Sequence, residues 1–493
     1  MPADVDFVEV DPAKVRTRLD TRVVTIPDKI LQRLRQVCAV SDDLAERVSA
    51  SRDWWMLSHH WAMDNMVGQV AALVARPTST EQIAALMHIC HEARIPVTAA
   101  AGRSGGEGAS VPVFGGVILD LSGYTGIVEL DAASMVAVVR AGTPRKELEA
   151  ELQARGFTLG HWPQSFELAS LGGCIACRGA GQLAMRYGKI EDMTEGLRVV
   201  LADGSVIDTA AAPRASIGPD LTQLFVGAEG TLGVITDCRM RLRRKPEQEW
   251  RMAYTVRTLH EAIEAARRII QAGADPAVLR CHEPKEAKSL FGFDGETAPL
   301  LVYDEGDPVT VEANRRIVER ECAGLLEPIG PEPLDRWFEK RNDVSATMPL
   351  VRKGFVFDTL EIAAPWSRVA AVYDATIAAL LEVPHIRAAT ARLSHAYTSG
   401  GALYFSMTAR PPADEIEATF NRLWDVGTRA VLAHGGNLAH HHGIGLNRSR
   451  FMREALGSAL DALAAIKQAL DPHGICNPGK MGLASPFGAI DWP

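Results

Sequence analysis

The sequence predicts an α+β protein of more than one domain, and three observations predict it. At 493 residues the chain is too long for one ordinary hydrophobic core. Short β-rich runs separated by glycine fill residues 67–246, and helical periodicity dominates before and after them. The composition, 47% hydrophobic and 23% charged, suits folded domains that bury substantial apolar interiors.

In chain order, residues 1–66 read as a helical N-terminal extension. Ile30, Leu31, Leu34 and Val37 fall at helical spacing, and a tryptophan-rich stretch holds Trp54, Trp55 and Trp61. Strands are expected at 73–75, 96–98, 117–121 and 135–139, with an amphipathic helix over 80–90 behind a Ser/Thr cap. The cluster Arg243-Arg244-Lys245-Pro246 closes the β-rich region, and a second domain over 247–430 follows. Its clearest elements are a helix at 260–270, a strand at 300–303, a helix at 366–381 and a strand at 402–405. The last segment, 431–493, carries a run of three histidines, His440-His441-His442-Gly443-Ile444-Gly445, and a helix from 449 to 470.

Composition also excludes. A net charge of -9 disfavours a general nucleic-acid surface, so individual basic residues must do any anion binding. No stretch approaches the roughly 18 to 20 apolar residues that span a bilayer, and the start at 1–6 is acidic rather than signal-like, so a cytoplasmic protein is expected. Eight cysteines are ordinary reduced-compartment usage, and the lone Cys174-Ile175-Ala176-Cys177 spacing is a weak metal signal.

The histidine run is hard to explain as packing, because three imidazoles buried together need partners at six ring nitrogens. No carboxylate or cysteine at ligand spacing accompanies it, so no metal is expected there. Three glycine-containing segments point to one large ligand held mainly by main chain. The first is Ala101-Gly102-Arg103-Ser104-Gly105-Gly106. The second spans 164–173 and contains Gln164, Ser165, Ser170, Gly172 and Gly173. The third is Glu229-Gly230-Thr231-Leu232-Gly233-Val234-Ile235. None has the dinucleotide GxGxxG spacing or a Walker lysine.

The order of these loops resembles the FAD-binding domain of the vanillyl-alcohol oxidase and p-cresol methylhydroxylase (PCMH) superfamily. The fuller match is to the alkyldihydroxyacetonephosphate synthases. It is carried also by Thr158-Leu159-Gly160-His161, Tyr187-Gly188-Lys189-Ile190-Glu191-Asp192, Gly218-Pro219-Asp220, Ala364-Pro365-Trp366, Gly401-Ala402-Leu403-Tyr404-Phe405 and 440–445. The resemblance covers roughly residues 66–480 and implies a PCMH-type two-subdomain FAD-binding domain over 67–246. It also implies an α/β cap, or substrate, domain with an antiparallel sheet over 247–430, and a C-terminal helical segment over 431–493 that completes the active site and packs on the FAD domain.

The implied activity is exchange of the acyl group of acyl-dihydroxyacetone phosphate for a fatty alcohol, through a flavin N5 adduct and without net redox. The alternative is an FAD-dependent oxidoreductase acting on a 2-hydroxy acid or alcohol, because the same cofactor domain serves many chemistries. By the resemblance Tyr404 is the proton-handling group, with His440, His441 and His442 beside it. If the run is extended, His440 and His442 share one face and His441 takes the other. Arg352, Arg280 and His161 are the substrate-binding residues, although the segment after Arg352 is shorter than in the synthases. The three loops, with Cys177 and Arg178, hold FAD. Arg103 departs from the family's glycine and puts a guanidinium near the expected pyrophosphate, pointing either to phosphate or to solvent. Where some relatives carry a flavin-linking histidine this chain has Glu107, so noncovalent FAD is expected. The ligands expected are a small lipid or a phosphorylated keto compound. A peripheral membrane contact, for which the tryptophans offer a patch, and a homodimer are both left open.

Overall fold

The computed structural model describes residues 7–209 and 212–492. The acidic start at 1–6 lies outside these described residues. Two main sheets form the region before Arg243. In the first, Ala39–Ser41, Leu73–Arg76, Val117–Asp120 and Val97–Ala100 lie side by side in that order. The last three run parallel and Ala39–Ser41 runs antiparallel at the edge. A parallel sheet buries both faces, which is why these strands read as unbroken apolar runs. Leu73, Val97, Val117 and Leu119 pack with Ile83, Leu86 and Met87 of the helix Thr80–Ala93, while Val74 and Ile118 face the other way against Ala50 and Ala71. The expected cap is present: Ser79 accepts from the Gln82 N–H.

The second sheet is antiparallel, in the order Val206–Asp208, Thr194–Val200, Val234–Arg241, Val136–Arg140 and Ile127–Asp131. Beyond it lies a seven-stranded antiparallel sheet, in the order Glu327–Gly330, Gln248–Val256, Ala298–Gly306, Val278–His282, Ile386–Tyr397, Gly400–Ala409 and Val356–Pro365. Its strands alternate. Leu360, Ile362, Leu393, Leu403 and Phe405 are fully buried and join one core with Val369, Val372 and Leu380 of the helix Trp366–Leu381 and with Phe420, Leu423 and Trp424 of Ile416–Ala433. The opposite face carries polar side chains, described below.

Two local readings change. The first 66 residues are not purely helical, because Ala39–Ser41 completes the parallel sheet and Arg16–Thr17 pairs with Met66–Val67. Short strands joined by long-range pairing leave no periodicity in a local window. The helix expected over 449–470 is broken at Gly457, whose φ of +54° ends Met452–Leu456 before Ala459–Leu470 begins. The chain then returns to the first sheet, where the Val97 N–H donates to Ile475 and the Asn477 N–H donates to Val97. The tryptophans form no surface patch: Trp55 is fully buried and packs edge-on against Trp61 and Trp492, and Trp54 faces the internal cavity. Among the described residues no helix is long and apolar enough to cross a membrane.

Candidate active site

A cavity of about 1390 Å³ lies between the two N-terminal sheets and the polar face of the seven-stranded sheet. That exceeds the ~300–1,000 Å³ usual for one small ligand, and leaves room for a large cofactor together with a substrate. Residues 101–106 line it. A Cβ added at Gly105 or Gly106 would meet nothing within 4 Å, so both glycines border open space. Gly102 serves differently: a Cβ there would come within 2.1 Å of the Leu168 carbonyl, so this glycine lets the first loop close onto the second.

The second loop contributes Gln164, Ser165, Ser170, Gly172, Gly173 and Cys177, and the third contributes Glu229, Gly230, Gly233, Val234 and Ile235. Two expected contacts do not reach the cavity. Thr231 is buried elsewhere with its hydroxyl donated to Ala228, and Arg178 is turned outward to Glu191 and Gln223. Arg103, Arg178 and Glu229 adopt φ values of +50°, +56° and +49°, a conformation non-glycine residues seldom take and one that concentrates at functional loops.

The lining fits a flavin dinucleotide. Arg103 lines the cavity with its Nε and one Nη buried and without hydrogen-bond partners, and its nearest carboxylate, Asp120, is 3.7 Å away. A buried guanidinium in that state is satisfied by an anion such as a pyrophosphate. Glu107 cannot offer a flavin-linking nitrogen, and its carboxylate is already engaged by Asn447 at 2.8 Å and Arg448 at 3.1 Å. Burial pushes the Cys174 thiol up to about 11 and the Cys177 thiol higher still, so neither is a thiolate.

The histidine run is held by two buried carboxylates from distant parts of the chain. One oxygen of Glu361 accepts the backbone N–H groups of His440, His441 and His442 at 3.2, 3.0 and 2.7 Å. Its other oxygen meets the Arg448 guanidinium and lies 3.1 Å from His442 Nδ1. Glu229 accepts from the N–H groups of Ile444 and Gly445 at 2.5 and 2.8 Å. Burial opposes ionisation of Glu361, but Arg448 and His442 outweigh it and hold the carboxyl well below its ordinary value.

This clamp overturns the alternation expected of an extended run. Three consecutive N–H groups converging on one oxygen require a curled backbone, not a strand. His441 and His442 line the cavity, and His440 lies behind them with its Nδ1 2.8 Å from His441 Nδ1. Nor is the run without carboxylates: Glu107, Glu361 and His442 place donor atoms within 4.8 Å of one another. Arg448 is ion-paired to both glutamates and supplies the cation in that cluster.

Tyr404 sits on the polar face of the seven-stranded sheet, directly opposite Glu361 on one neighbouring strand and Arg392 on the other. Its ring centre lies 5.9 Å from that of His441 and 5.5 Å from that of His442. Burial pushes the phenol above its ordinary pKa, while Arg392 and a hydrogen bond with Thr359 pull the other way, so the resting group is the neutral phenol.

The anion-binding residues are rearranged relative to expectation. Arg280 lines the cavity as expected, but Arg352 does not; it is exposed at the end of Thr347–Arg352, and Met348 and Leu350 of that helix face the cavity instead. Beside Arg280 on the seven-stranded sheet the cavity also meets Arg392, whose Nη1 is 2.8 Å from Glu286 and whose Nε is buried without a hydrogen-bond partner. Burial and the neighbouring Arg392 pull Arg280 down to about 9. Burial also opposes ionisation of Glu286, but His282 and Arg392 prevail and hold it at about 2. His161 lines the cavity, wholly buried; burial and Arg145 pull it down to about 3, so it is neutral.

Comparison with known proteins places this geometry. Residues 71–210 match the FAD binding domain model and residues 245–481 match that of the FAD linked oxidases, C-terminal domain. The uncharacterized FAD-linked oxidoreductase YgcU of Escherichia coli K12 is 31% identical over 434 residues, covering 84% of this chain and 89% of the relative. The chain belongs to the FAD-linked oxidase family. Alkyldihydroxyacetonephosphate synthase of Dictyostelium discoideum is 26% identical, covering 84% of this chain and 74% of that protein. Glycolate oxidase subunit GlcD of Bacillus subtilis is 28% identical, covering 83% and 88%. Among solved structures, an alkyldihydroxyacetonephosphate synthase superposes with a TM-score of 0.79 at 22% identity over 95% of this chain and 88% of the other. Substrate-bound p-cresol methylhydroxylase gives 0.72 at 19% over 92% and 96%. This member of the FAD-linked oxidase family therefore has the PCMH-type fold and takes FAD as its cofactor. Sequence alone does not single out Arg392, Glu361 or Arg448 in it. The available signal is a charged residue at an alternate position of an otherwise apolar strand, as in Thr359-Leu360-Glu361-Ile362.

Proposed function

We propose that the protein is an alkyldihydroxyacetonephosphate synthase-like transferase, which exchanges the acyl group of acyl-dihydroxyacetone phosphate for a fatty alcohol without net oxidation. The observation that carries this reading is the convergence of one buried tyrosine and two partly buried guanidinium groups, Tyr404, Arg280 and Arg392, on the cavity face of the seven-stranded sheet. Bound FAD supplies an electrophilic, electron-accepting ring system to such a site.

In this reading Arg280 and Arg392 bind the substrate phosphate through charge-assisted hydrogen bonds, for which the free Nε of Arg392 is available. Leu290, Phe291, Trp337, Met348 and Phe357 provide apolar walls that shelter an alkyl chain and exclude water. Tyr404 handles the carbon-bound proton at its hydroxyl oxygen. Because the buried phenol rests protonated, it becomes a base by first passing its proton to the neutral cavity imidazole of His441, and Arg392 against its ring stabilises the phenolate that results. His441 and His442 are the cavity imidazoles beside it, held in place by Glu361.

A second reading has its own support. Two partly buried guanidinium groups suit a carboxylate as well as a phosphate, and GlcD is named as a glycolate oxidase subunit and YgcU as an uncharacterized FAD-linked oxidoreductase. Under that reading the protein oxidises a 2-hydroxy acid. Anaerobic mixing of the holoenzyme separates the two: a 2-hydroxy acid bleaches the flavin of a dehydrogenase, whereas the transferase incorporates labelled fatty alcohol with no net bleaching.

A further inference from the structure

We propose that His441, His440 and Tyr397 form a proton relay joining the cavity to the protein surface beside Glu191 and Asp192. His441 lines the cavity, and its Nδ1 lies 2.8 Å from Nδ1 of His440. Nε2 of His440 lies 2.7 Å from the Tyr397 hydroxyl. Tyr397 ends the strand Ile386–Tyr397, is half-buried, and is followed by the exposed Thr398 and Ser399. Burial raises the Tyr397 phenol above its ordinary pKa, so it rests protonated, and the nearby carboxylates of Glu191 and Asp192 push it the same way.

The arrangement fits proton transfer better than packing. An Nδ1-to-Nδ1 hydrogen bond requires one imidazole to donate and the other to accept, so the two rings must be opposite tautomers. The backbone of His440 is fixed at both ends, by Glu361 at its N–H and by the Lys189 ammonium 2.7 Å from its carbonyl. Burial pulls both rings well below their ordinary pKa, so both rest neutral, as a relay requires. The ionisable groups facing the line are His395, His442, Glu361, Lys189, Glu191 and Asp192.

The transfer balances. In one polarity His441 donates from Nδ1 to His440, His440 donates from Nε2 to Tyr397, and Tyr397 holds the outer hydroxyl proton. A proton arriving at the free Nε2 of His441 sends the Nδ1 proton to His440, the Nε2 proton of His440 to the tyrosine oxygen, and the tyrosine proton to water. One proton enters, one leaves, and every hydrogen bond is re-formed in the reverse sense. Tyr397 is thus a positioning and relay residue and makes no contact with substrate. The relay rests on the proton-handling role proposed for Tyr404, and serves the transferase and oxidoreductase readings alike.

The test compares FAD-loaded wild type with Tyr397→Phe, which keeps the ring and removes the hydroxyl. Palmitoyl-dihydroxyacetone phosphate and hexadecanol are used as substrates in mixtures of H₂O and D₂O. The relay predicts a rate at least about tenfold lower in the variant, with unchanged flavin content and spectrum. It also predicts a curved dependence on deuterium fraction in wild type that becomes linear in Tyr397→Phe. Equal rates in the two proteins overturn it. A wild type that does not turn over this pair defeats the proposed function instead, and the relay is then decided by ¹⁵N-histidine spectra of the holoenzyme. Opposite tautomers at His440 and His441, with the His440 signals displaced in Tyr397→Phe, support the relay, and identical tautomers overturn it.

Discussion

The guanidinium carbon of Arg392 lies 3.9 Å from the centre of the Tyr404 ring, and the two residues are directly opposed on neighbouring antiparallel strands. Arg392 also pairs with Glu286 while keeping Nε free, so one side chain both stabilises a phenolate and offers an anion a donor. Losing a charged hydrogen bond costs about 1.5–3 kcal/mol. Arg392→Met is therefore expected to lower kcat/KM by about 10- to 100-fold, and Arg392→Lys to recover only part of it, since an ammonium lacks the planar fork. Steady-state kinetics check this, and unchanged kinetics in Arg392→Met would remove Arg392 from the site.

The glycines of the first loop separate folding from cofactor binding. Because an added Cβ at Gly105 or Gly106 meets nothing, Gly105→Val and Gly106→Val should leave apoprotein stability within about 0.5 kcal/mol. Fluorescence titration should show FAD affinity reduced at least about tenfold, as the side chains intrude on the cofactor's space. Gly102→Ala should destabilise the apoprotein itself, because its Cβ strikes the Leu168 carbonyl.

Glu361 is expected to be the most sensitive position outside the cavity lining. Glu361→Gln leaves Arg448 buried with Glu107 as its remaining ion-pair partner and weakens the acceptor shared by three N–H groups. Breaking a buried pair costs about 3–5 kcal/mol. Denaturant unfolding should show a loss of that order, and a loss below about 1 kcal/mol would contradict the clamp.

Acid should weaken the fold well above the carboxylate range. Burial pulls His161 down to about 3 and His395 to about 4, against an ordinary value of 6.5. Below pH 6.5 the unfolded chain binds protons at both rings while the native protein does not, so stability falls as pH drops from 6.5 toward 4. Each ring contributes a slope of up to about 1.4 kcal/mol per pH unit. Urea midpoints measured across that window should fall with acid, and His161→Gln should remove one increment of the slope. Glu286, held at about 2, acts in a lower window: its contribution is complete above about pH 4.5 and is lost as pH falls toward 2.

How much of this is legible in the sequence depends on whether a feature is local. The helix over 366–381 and the strands around Val97, Val117 and Tyr404 follow from periodicity and are found where expected. The glycine loops around 101–106 and 229–235 likewise announce a main-chain cradle, because closely spaced glycines leave backbone amides open to a ligand, and both loops line the cavity. What does not show is pairing across long sequence distance. Glu361 stands 79 residues before His440, and Glu107 stands 341 before Arg448. Without those partners the histidine run reads as extended, which puts the wrong histidines toward the cavity. Arg352 misleads for a related reason: its sequence neighbourhood matches, but the shortened segment after it leaves Arg352 on the exposed end of its helix, and Arg392 takes the cavity position.

The most direct test of the proposed activity is to incubate the FAD-loaded protein anaerobically with palmitoyl-dihydroxyacetone phosphate and radiolabelled hexadecanol. The account predicts label in an ether-linked product, one palmitate released per label incorporated, and no net loss of the flavin's visible absorption. Absence of incorporation, together with bleaching of the flavin by a D-2-hydroxy acid, would contradict it.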